Sequence, residues 1–293
     1  MKWDPEAASS VFSRYLKFVR IEHTLFALPM AYAAALEASG GYLTLWQAVW
    51  IALAFVGLRI AGMSWNNIAD RDIDALNPRT KGRMLVTGAV TLRGAYTVFA
   101  VGAALFEVSA AMLGPWPLYL SLPYLIVTMT YPYAKRRHCV PHMHLGAIYA
   151  LVPLGASIAV YSRDVVSAMA HTPWLLVFGS AFWVAGFDVF YSKMDLDFDR
   201  AVGLGSIPAC YGEKTARATW TALLTASAAL YLANYLSLRG GAPGLLLTAV
   251  AAAVEIWSAI TAYDDKKIPK AFNANLSVGL LVAAGVLINY IPI

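Results

Sequence analysis

Charge is scarce in this sequence: only 13% of its 293 residues are Asp, Glu, Lys or Arg, roughly half the share of an ordinary globular domain. A soluble fold of this size could not clothe its surface with so few ionic groups, which excludes a soluble enzyme. Cysteine is scarcer still, represented by Cys139 and Cys210 alone. Two such residues make no disulfide framework, and their thiols are expected to be bystanders. Basic runs interleaved with aromatics are missing outside the apolar blocks, so the formal charge of +5 does not point to nucleic acid. The opening stretch MKWDPEAASS has neither an apolar core nor a small-residue cleavage site, and no removable signal peptide is expected.

What the sequence has in abundance is hydrophobic residues, 59% of the chain, gathered in blocks of about 20, the length that crosses a bilayer. Nine spans are expected, at 21–39, 44–65, 90–113, 115–132, 143–161, 173–190, 215–237, 243–263 and 271–291. They lack the strict alternation of barrel strands, so each is expected to be a helix that satisfies its own backbone. The fourth is the weakest: it holds Pro123 and is set off from the third only by Gly114, Pro115, Trp116 and Pro117. The fold class is therefore an all-α integral membrane protein, with residues 1–293 as a single domain.

The sparse charges are not scattered. With nine spans, twenty of the 22 Lys and Arg residues fall on one face and only Arg163 and Arg239 on the other. By the positive-inside rule that face is cytosolic, as is the N-terminus. Two acidic clusters share the same face, Asp70, Asp72 and Asp74 after the second span and Asp188, Asp195, Asp197 and Asp199 around the end of the sixth. The common spacing is four, which stacks side chains on one helical face. Asn66, Asp70 and Asp74 form one oxygen-bearing stripe, and Tyr191, Asp195 and Asp199 another. Stacked carboxylates repel unless a cation lies between them. Hard oxygen donors without His or Cys suit Mg2+, which takes one or two carboxylates and completes its shell with water and phosphate. Arg79 and Arg83 follow the first stripe, Lys135, Arg136 and Arg137 end the fourth span, and Lys193 lies within the second stripe. Such cations can take the phosphate oxygens that a metal leaves free. The pattern points to a diphosphate site.

These residues resemble the UbiA superfamily of intramembrane prenyltransferases over nearly the whole chain. Asn66, Asp70 and Asp74 match its motif N-x-x-x-D-x-x-x-D, and Asp188, Tyr191, Asp195 and Asp199 its motif D-x-x-Y-x-x-x-D-x-x-x-D. Between them, Tyr131-Pro132-Tyr133-Ala134-Lys135-Arg136 is similar to the family's Y-P-x-x-K-R segment. The resemblance implies nine helices around a central cavity, Mg2+ dependence and a polyprenyl diphosphate donor, geranyl or longer, held between the two motifs. Metal ligands are then Asn66, Asp70, Asp74, Asp195 and Asp199; diphosphate ligands are Arg79, Arg83, Lys135, Arg136, Tyr191 and Lys193. Met84 and Asn67 depart from the residues many members carry there. The segment from Arg20 to Pro29 resembles the branch acting on 4-hydroxybenzoate or related aromatic acids, which places the enzyme in quinone biosynthesis.

An acceptor carboxylate in an apolar cavity needs a cation. Arg59, two helical turns before Asn66, is the first candidate, with Arg20 and His23 as second choices. His138, His142 and His144 have no zinc-like spacing. Either Asp188 or the released diphosphate could accept the ring proton. The expected location is the plasma membrane, with the site opening to the cytosol and no protein partner required beyond surrounding lipid. A naphthoate or a glycerophosphate ether are alternative acceptors. A transporter of a phosphorylated lipid is the alternative of another class, disfavoured because transporters place ionisable residues near the midplane.

Overall fold

A computed structural model describes residues 13–20 and 24–290. Among these residues every regular element is helical. Helix α1 (Thr24–Ala38) is followed by α2 (Leu45–Ala69), α3 (Arg71–Leu76), α4 (Leu92–Leu113), α5 (Pro115–Ala134), α6 (Pro141–Val160) and α7 (Val165–His171). The second half contains α8 (Trp174–Ser192), α9 (Leu196–Val202), α10 (Ile207–Ser237), α11 (Ala242–Thr261), α12 (Ile268–Asn275) and α13 (Ser277–Leu287). Among the described residues each expected span lies mostly on helix, the ninth being divided between α12 and α13 at Leu276. Among the described residues, six helical stretches are long and apolar enough to cross a membrane: Leu45–Ala69, Leu92–Leu113, Pro141–Val160, Trp174–Val202, Ala242–Thr261 and Asp265–Tyr290.

Local chemistry sets the boundaries. Thr44 caps α2 by accepting from the Gln47 amide at 3.1 Å, while the Gln47 side chain accepts from the Thr44 amide at 3.1 Å, a reciprocal cap that satisfies two otherwise orphaned donors. Prolines stand in the first turn of α5, α6, α10, α11 and α12, where a missing N–H costs nothing. Helix α5 runs through Pro123 and Pro132 without interruption. The reversal from α4 into α5 rests on Gly114 at φ 138°, where an added Cβ would lie 2.6 Å from Ser162 Oγ.

Packing divides the bundle into two parts. Helices α1, α6, α8, α10, α11 and α13 contact one another in a closed ring, with α13 returning beside α1. Helices α2, α4 and α5 form a second group, joined to the ring through α6 and α1. Within that group α2 and α4 approach at Gly57 and Gly102: a Cβ on the first would sit 2.6 Å from the Phe106 amide nitrogen, and on the second 2.6 Å from that of Ala61. Small residues allow this backbone contact where lipid supplies no hydrophobic drive. The main core cluster, with Trp183, Phe190, Trp220 and Tyr231 among its largest members, fills the ring.

The cysteines differ from expectation. Cys139, just before α6, and Cys210, in the first turn of α10, form a disulfide across a Cα separation of 5.9 Å. Spacing in sequence gave no hint of it, because 71 residues separate them and only the return of α10 to α6 brings them together.

Candidate active site

Each acidic stripe crosses a bend. Asp70 ends α2 with φ −95° and ψ 2°, and α3 starts at the next residue. Asp195 has φ −110° and ψ 7° at the end of a single 3-10 turn, Lys193–Asp195, that separates α8 from α9. The expectation of one uninterrupted helical face is thereby corrected: both aspartates adopt the same sparsely populated backbone region. The next carboxylates, Asp74 and Asp199, then stand on short helices α3 and α9. Asp70 and Asp74 are buried, and so is Asp199.

One cavity, enclosing roughly 860 Å³ with its open mouth included, gathers Asn66, Asp70, Asp74, Arg79, Arg83, Lys135, Asp188, Tyr191, Asp195 and Asp199. These are ten of the fifteen residues singled out from sequence. Its cations are matched with its acids. Lys135 Nζ donates to Asp70 Oδ2 at 2.7 Å, and Arg83 Nη1 to Asp74 Oδ2 at 2.5 Å. Arg79 grips both oxygens of Asp195, Nε reaching Oδ1 at 2.7 Å and Nη2 bonding Oδ2. Arg79 Nη1 also donates to the Tyr191 hydroxyl at 3.2 Å, with the guanidinium over the Tyr191 ring. The loop after the first stripe thus closes onto the second. Burial pushes the Asp70 carboxyl above the ordinary aspartate range, against the pull of the adjacent Lys135 ammonium.

The remaining predicted residues lie elsewhere. Lys193 does not line this cavity: its Nζ bonds Glu213 at 2.9 Å and also Asp265, over the Trp220 ring. It is a buried clasp between α8, α10 and the turn before α12, which corrects its reading as a diphosphate ligand. Arg136 is not among the lining residues; it is bonded to both oxygens of Asp72 at 3.0 and 2.8 Å, and this bond holds the exposed Asp72 carboxyl below its ordinary range. Arg59 lies within α2, its Nη1 3.5 Å from the Tyr149 hydroxyl and its buried Nε without a hydrogen-bond acceptor. Arg20 is exposed in the turn at residues 19–20, and His23 lies outside the described residues.

Asn77, Ser206, His142 and Tyr131 also line the cavity, and none of them was assigned to the site from sequence. Asn77 donates to Asp195 Oδ1 at 2.8 Å and accepts from the Arg79 amide at 2.9 Å, fixing that loop against the second stripe. Ser206 donates to Asp199 Oδ2 at 3.2 Å. His142 bonds Asp188, and Tyr131 completes the wall. The Tyr-Pro segment signalled Tyr131; nothing local signalled the others, because their partners are distant in sequence. Among the described residues no three Asp, Glu, His or Cys side chains are grouped as a ready-made metal cage. Yet the buried Asp70 Oδ1 has no hydrogen-bond partner, and with both His142 nitrogens engaged by Asp188 and Ile207 the donors left to the two stripes are oxygens, as a hard divalent cation requires. A second cavity, of about 640 Å³, lies among α1, α2, α4, α5 and α6 and is walled by Phe55, Leu58, Phe106, Leu151 and other apolar groups.

A helical bundle with this hydrophobic composition and six helices long and apolar enough to cross a membrane is an integral membrane protein, with a cavity rich in carboxylates and cations at its helix ends. The chain belongs to the UbiA prenyltransferase family, whose profile matches residues 27–281, and it is accordingly an enzyme of prenyl transfer. A 4-hydroxybenzoate octaprenyltransferase of Aromatoleum aromaticum is 30% identical over 295 residues, covering 98% of this chain and 97% of that one. The solved apo structure of a UbiA homolog from Aeropyrum pernix is 44% identical, covers 92% of this chain and 99% of that one, and superposes with a TM-score of 0.87. A UbiA homolog from Archaeoglobus fulgidus, solved bound to DMAPP and Mg2+, shares the fold at a TM-score of 0.63 and 19% identity, covering 92% of this chain and 99% of that one.

Proposed function

We propose that this enzyme transfers a prenyl group from a polyprenyl diphosphate, geranyl or longer, to a ring carbon of an aromatic acid in quinone biosynthesis, with 4-hydroxybenzoate as acceptor and Mg2+ as cofactor. The observation that carries the reading is the convergence of both aspartate stripes with Arg79, Arg83 and Lys135 in one cavity. Asn66, Asp70 and Asp74 on one wall and Asp195 and Asp199 on the other would hold Mg2+. When bound, Mg2+ supplies neutralisation of the charge that grows on the diphosphate as its carbon–oxygen bond breaks. Lys135, Arg83 and Arg79 are already aimed at the carboxylates, and exchange of those partners for phosphate oxygens requires only side-chain rotation. Their fixed positive charge favours the departing diphosphate over the intact ester, the differential stabilisation that lowers a barrier.

The acceptor and the prenyl tail are assigned to the deeper part of the bundle. Arg59 is seven residues before Asn66 on α2, about 10 Å along the helix, and its neighbour Leu58 lines the apolar cavity. Its buried Nε lacks a partner, and a half-buried guanidinium so placed is suited to an acceptor carboxylate. Arg20 and His23 are second candidates for the same end of the acceptor. The apolar walls keep water from the allylic cation while the tail extends toward lipid. Nine crossings with a cytosolic N-terminus, and a site opening to the cytosol from the plasma membrane, are the arrangement that the lopsided distribution of Lys and Arg supports.

The test is transfer from radiolabelled geranyl diphosphate by purified protein in detergent, with and without Mg2+. It runs 4-hydroxybenzoate beside 1,4-dihydroxy-2-naphthoate and a glycerophosphate ether. Magnesium-dependent labelling of 4-hydroxybenzoate is the expected result. Labelling of another acceptor instead would overturn the substrate and leave the chemistry; transfer to none of them by protein that binds the diphosphate would overturn the reaction.

A further inference from the structure

His142 and Asp188 form a pair that the diphosphate site does not use. His142 lies in the first turn of α6 and Asp188 near the end of α8. The imidazole is 2% exposed and the carboxylate 20%. His142 Nδ1 is 2.6 Å from Asp188 Oδ2. On the far side of the ring, Nε2 is 3.3 Å from the Ile207 backbone nitrogen. A backbone N–H can only donate, so Nε2 is the accepting nitrogen of a neutral ring and Nδ1 carries the proton. Ile207 begins α10, where the first amides have no partner within the helix. Ser206 caps the Ala209 amide at 3.3 Å, leaving His142 to satisfy that of Ile207. The Cys139–Cys210 disulfide joins the segments that carry these two groups. The tautomer is therefore set by the fold itself.

We propose that His142 is a positioning residue for the transfer reaction: its Nδ1–H holds Asp188 Oδ2, so that Asp188 Oδ1 faces the cavity as the acceptor of the proton leaving the aromatic ring. The inference rests on the aromatic-acceptor reading above and goes beyond it by choosing the base that the sequence left open. Asp188 lines the same cavity as Asp70, Asp195 and Tyr131, and among the described residues its Oδ1 has no hydrogen-bond donor. The balance of the step is simple. A bond forms between the ring carbon and the allylic carbon as the bond from that carbon to the diphosphate breaks, its electron pair leaving with the diphosphate. The ring proton then passes to Asp188 Oδ1, its electron pair restoring the aromatic system. The neutral carboxyl later returns the proton to solvent or to the departing diphosphate, and His142 stays neutral throughout. The arrangement follows the logic by which a second hydrogen bond fixes the orientation of a reacting group.

The experiment compares wild type, His142→Gln, His142→Leu and Asp188→Asn in detergent, with Mg2+, geranyl diphosphate and 4-hydroxybenzoate either protonated or deuterated on the ring. Gln can accept from Ile207 and donate to Asp188; Leu can do neither. The expected result for His142→Leu and Asp188→Asn is a kcat lower by roughly tenfold or more, an unchanged KM for geranyl diphosphate, and a primary isotope effect that wild type lacks, because proton loss has become slow. His142→Gln should restore most of kcat and abolish the isotope effect. A His142→Leu enzyme that turns over like wild type, or that is slow without an isotope effect and not rescued by Gln, overturns the proposal. A second measurement is independent of the acceptor: in 15N-histidine protein, a far-downfield Nδ1–H resonance should be present in wild type and missing in His142→Gln. Its absence from wild type overturns the pairing. Failure of wild type to prenylate 4-hydroxybenzoate while that resonance is present would instead count against the acceptor.

Discussion

The two cavities of this bundle are neighbours with opposite chemistry. The one at the helix ends is walled by five aspartates and three cations, each cation locked to a carboxylate. The one inside the bundle is walled almost wholly by carbon, and its polar atoms are already spoken for, Tyr124 donating to the Ile148 carbonyl at 2.9 Å and Ser121 to that of Leu118 at 2.7 Å. The contrast follows from the solvent. Ionic groups are affordable where helices bend and water reaches them, whereas in hydrocarbon each unpaired charge costs several kcal/mol. A reaction that breaks an anionic ester and protects a carbocation needs both environments side by side. Arg59, on α2 between Leu58 of the apolar wall and Asn66 of the polar one, lines neither cavity.

The contrast breaks most completely if the polar cavity loses a carboxylate. Asp70→Ala or Asp195→Ala should lower transfer by at least a hundred- to thousandfold, the cost of removing one preorganised electrostatic element, with magnesium-dependent diphosphate binding lost alongside. Each also frees a cation, Lys135 or Arg79, that now has no carboxylate to hold. Steady-state labelling beside thermal unfolding in the same detergent distinguishes this from collapse of the bundle: activity falls and the melting temperature stays within a few degrees. Near-normal turnover in either variant would remove the metal assignment. An intermediate effect belongs to the group between the cavities. Arg59→Leu should raise the acceptor KM by roughly ten- to a hundredfold, the worth of a charge-assisted bond to a carboxylate, and leave the KM for geranyl diphosphate unchanged. A rise in the diphosphate KM instead would place Arg59 with the polar cavity.

The same contrast explains what could be read from sequence. Spans were legible because a bilayer demands long apolar blocks, and the stripes because carboxylates are rare enough here for their spacing to stand out. Ten of the predicted site residues meet in one cavity for that reason. The bends at Asp70 and Asp195 were not legible, since a four-residue spacing survives a turn that joins one helix to the next. Asn77 and His142 were missed because each acts on a partner brought near only by tertiary packing, Asp195 and Asp188. The disulfide was missed for the same reason. The lining of the apolar cavity was invisible, because residues facing lipid and residues facing a substrate tail are equally apolar.

Lys193 sharpens the comparison from the side of smallest effect. Sequence places it within the second stripe, two residues after cavity-lining Tyr191 and two before cavity-lining Asp195, so proximity alone would make it a phosphate ligand. Its side chain is 1% exposed and points the other way, to Glu213 and Asp265. Both carboxylates are themselves well exposed, so losing their partner leaves them hydrated rather than stranded, and the cost of breaking the clasp stays well below that of a fully buried pair. Met matches the aliphatic stem of Lys and keeps its packing against Trp220. Lys193→Met should therefore leave the KM for geranyl diphosphate within about twofold while lowering the melting temperature by a few degrees, a loss of roughly 1 kcal/mol. Lys135→Met, removing a cation that does face the cavity, should do the reverse. If instead the Lys193 variant raised the diphosphate KM as far as the Lys135 variant does, the stripe would extend through the bend, and α8 would have to be turned relative to α9 from the arrangement described above.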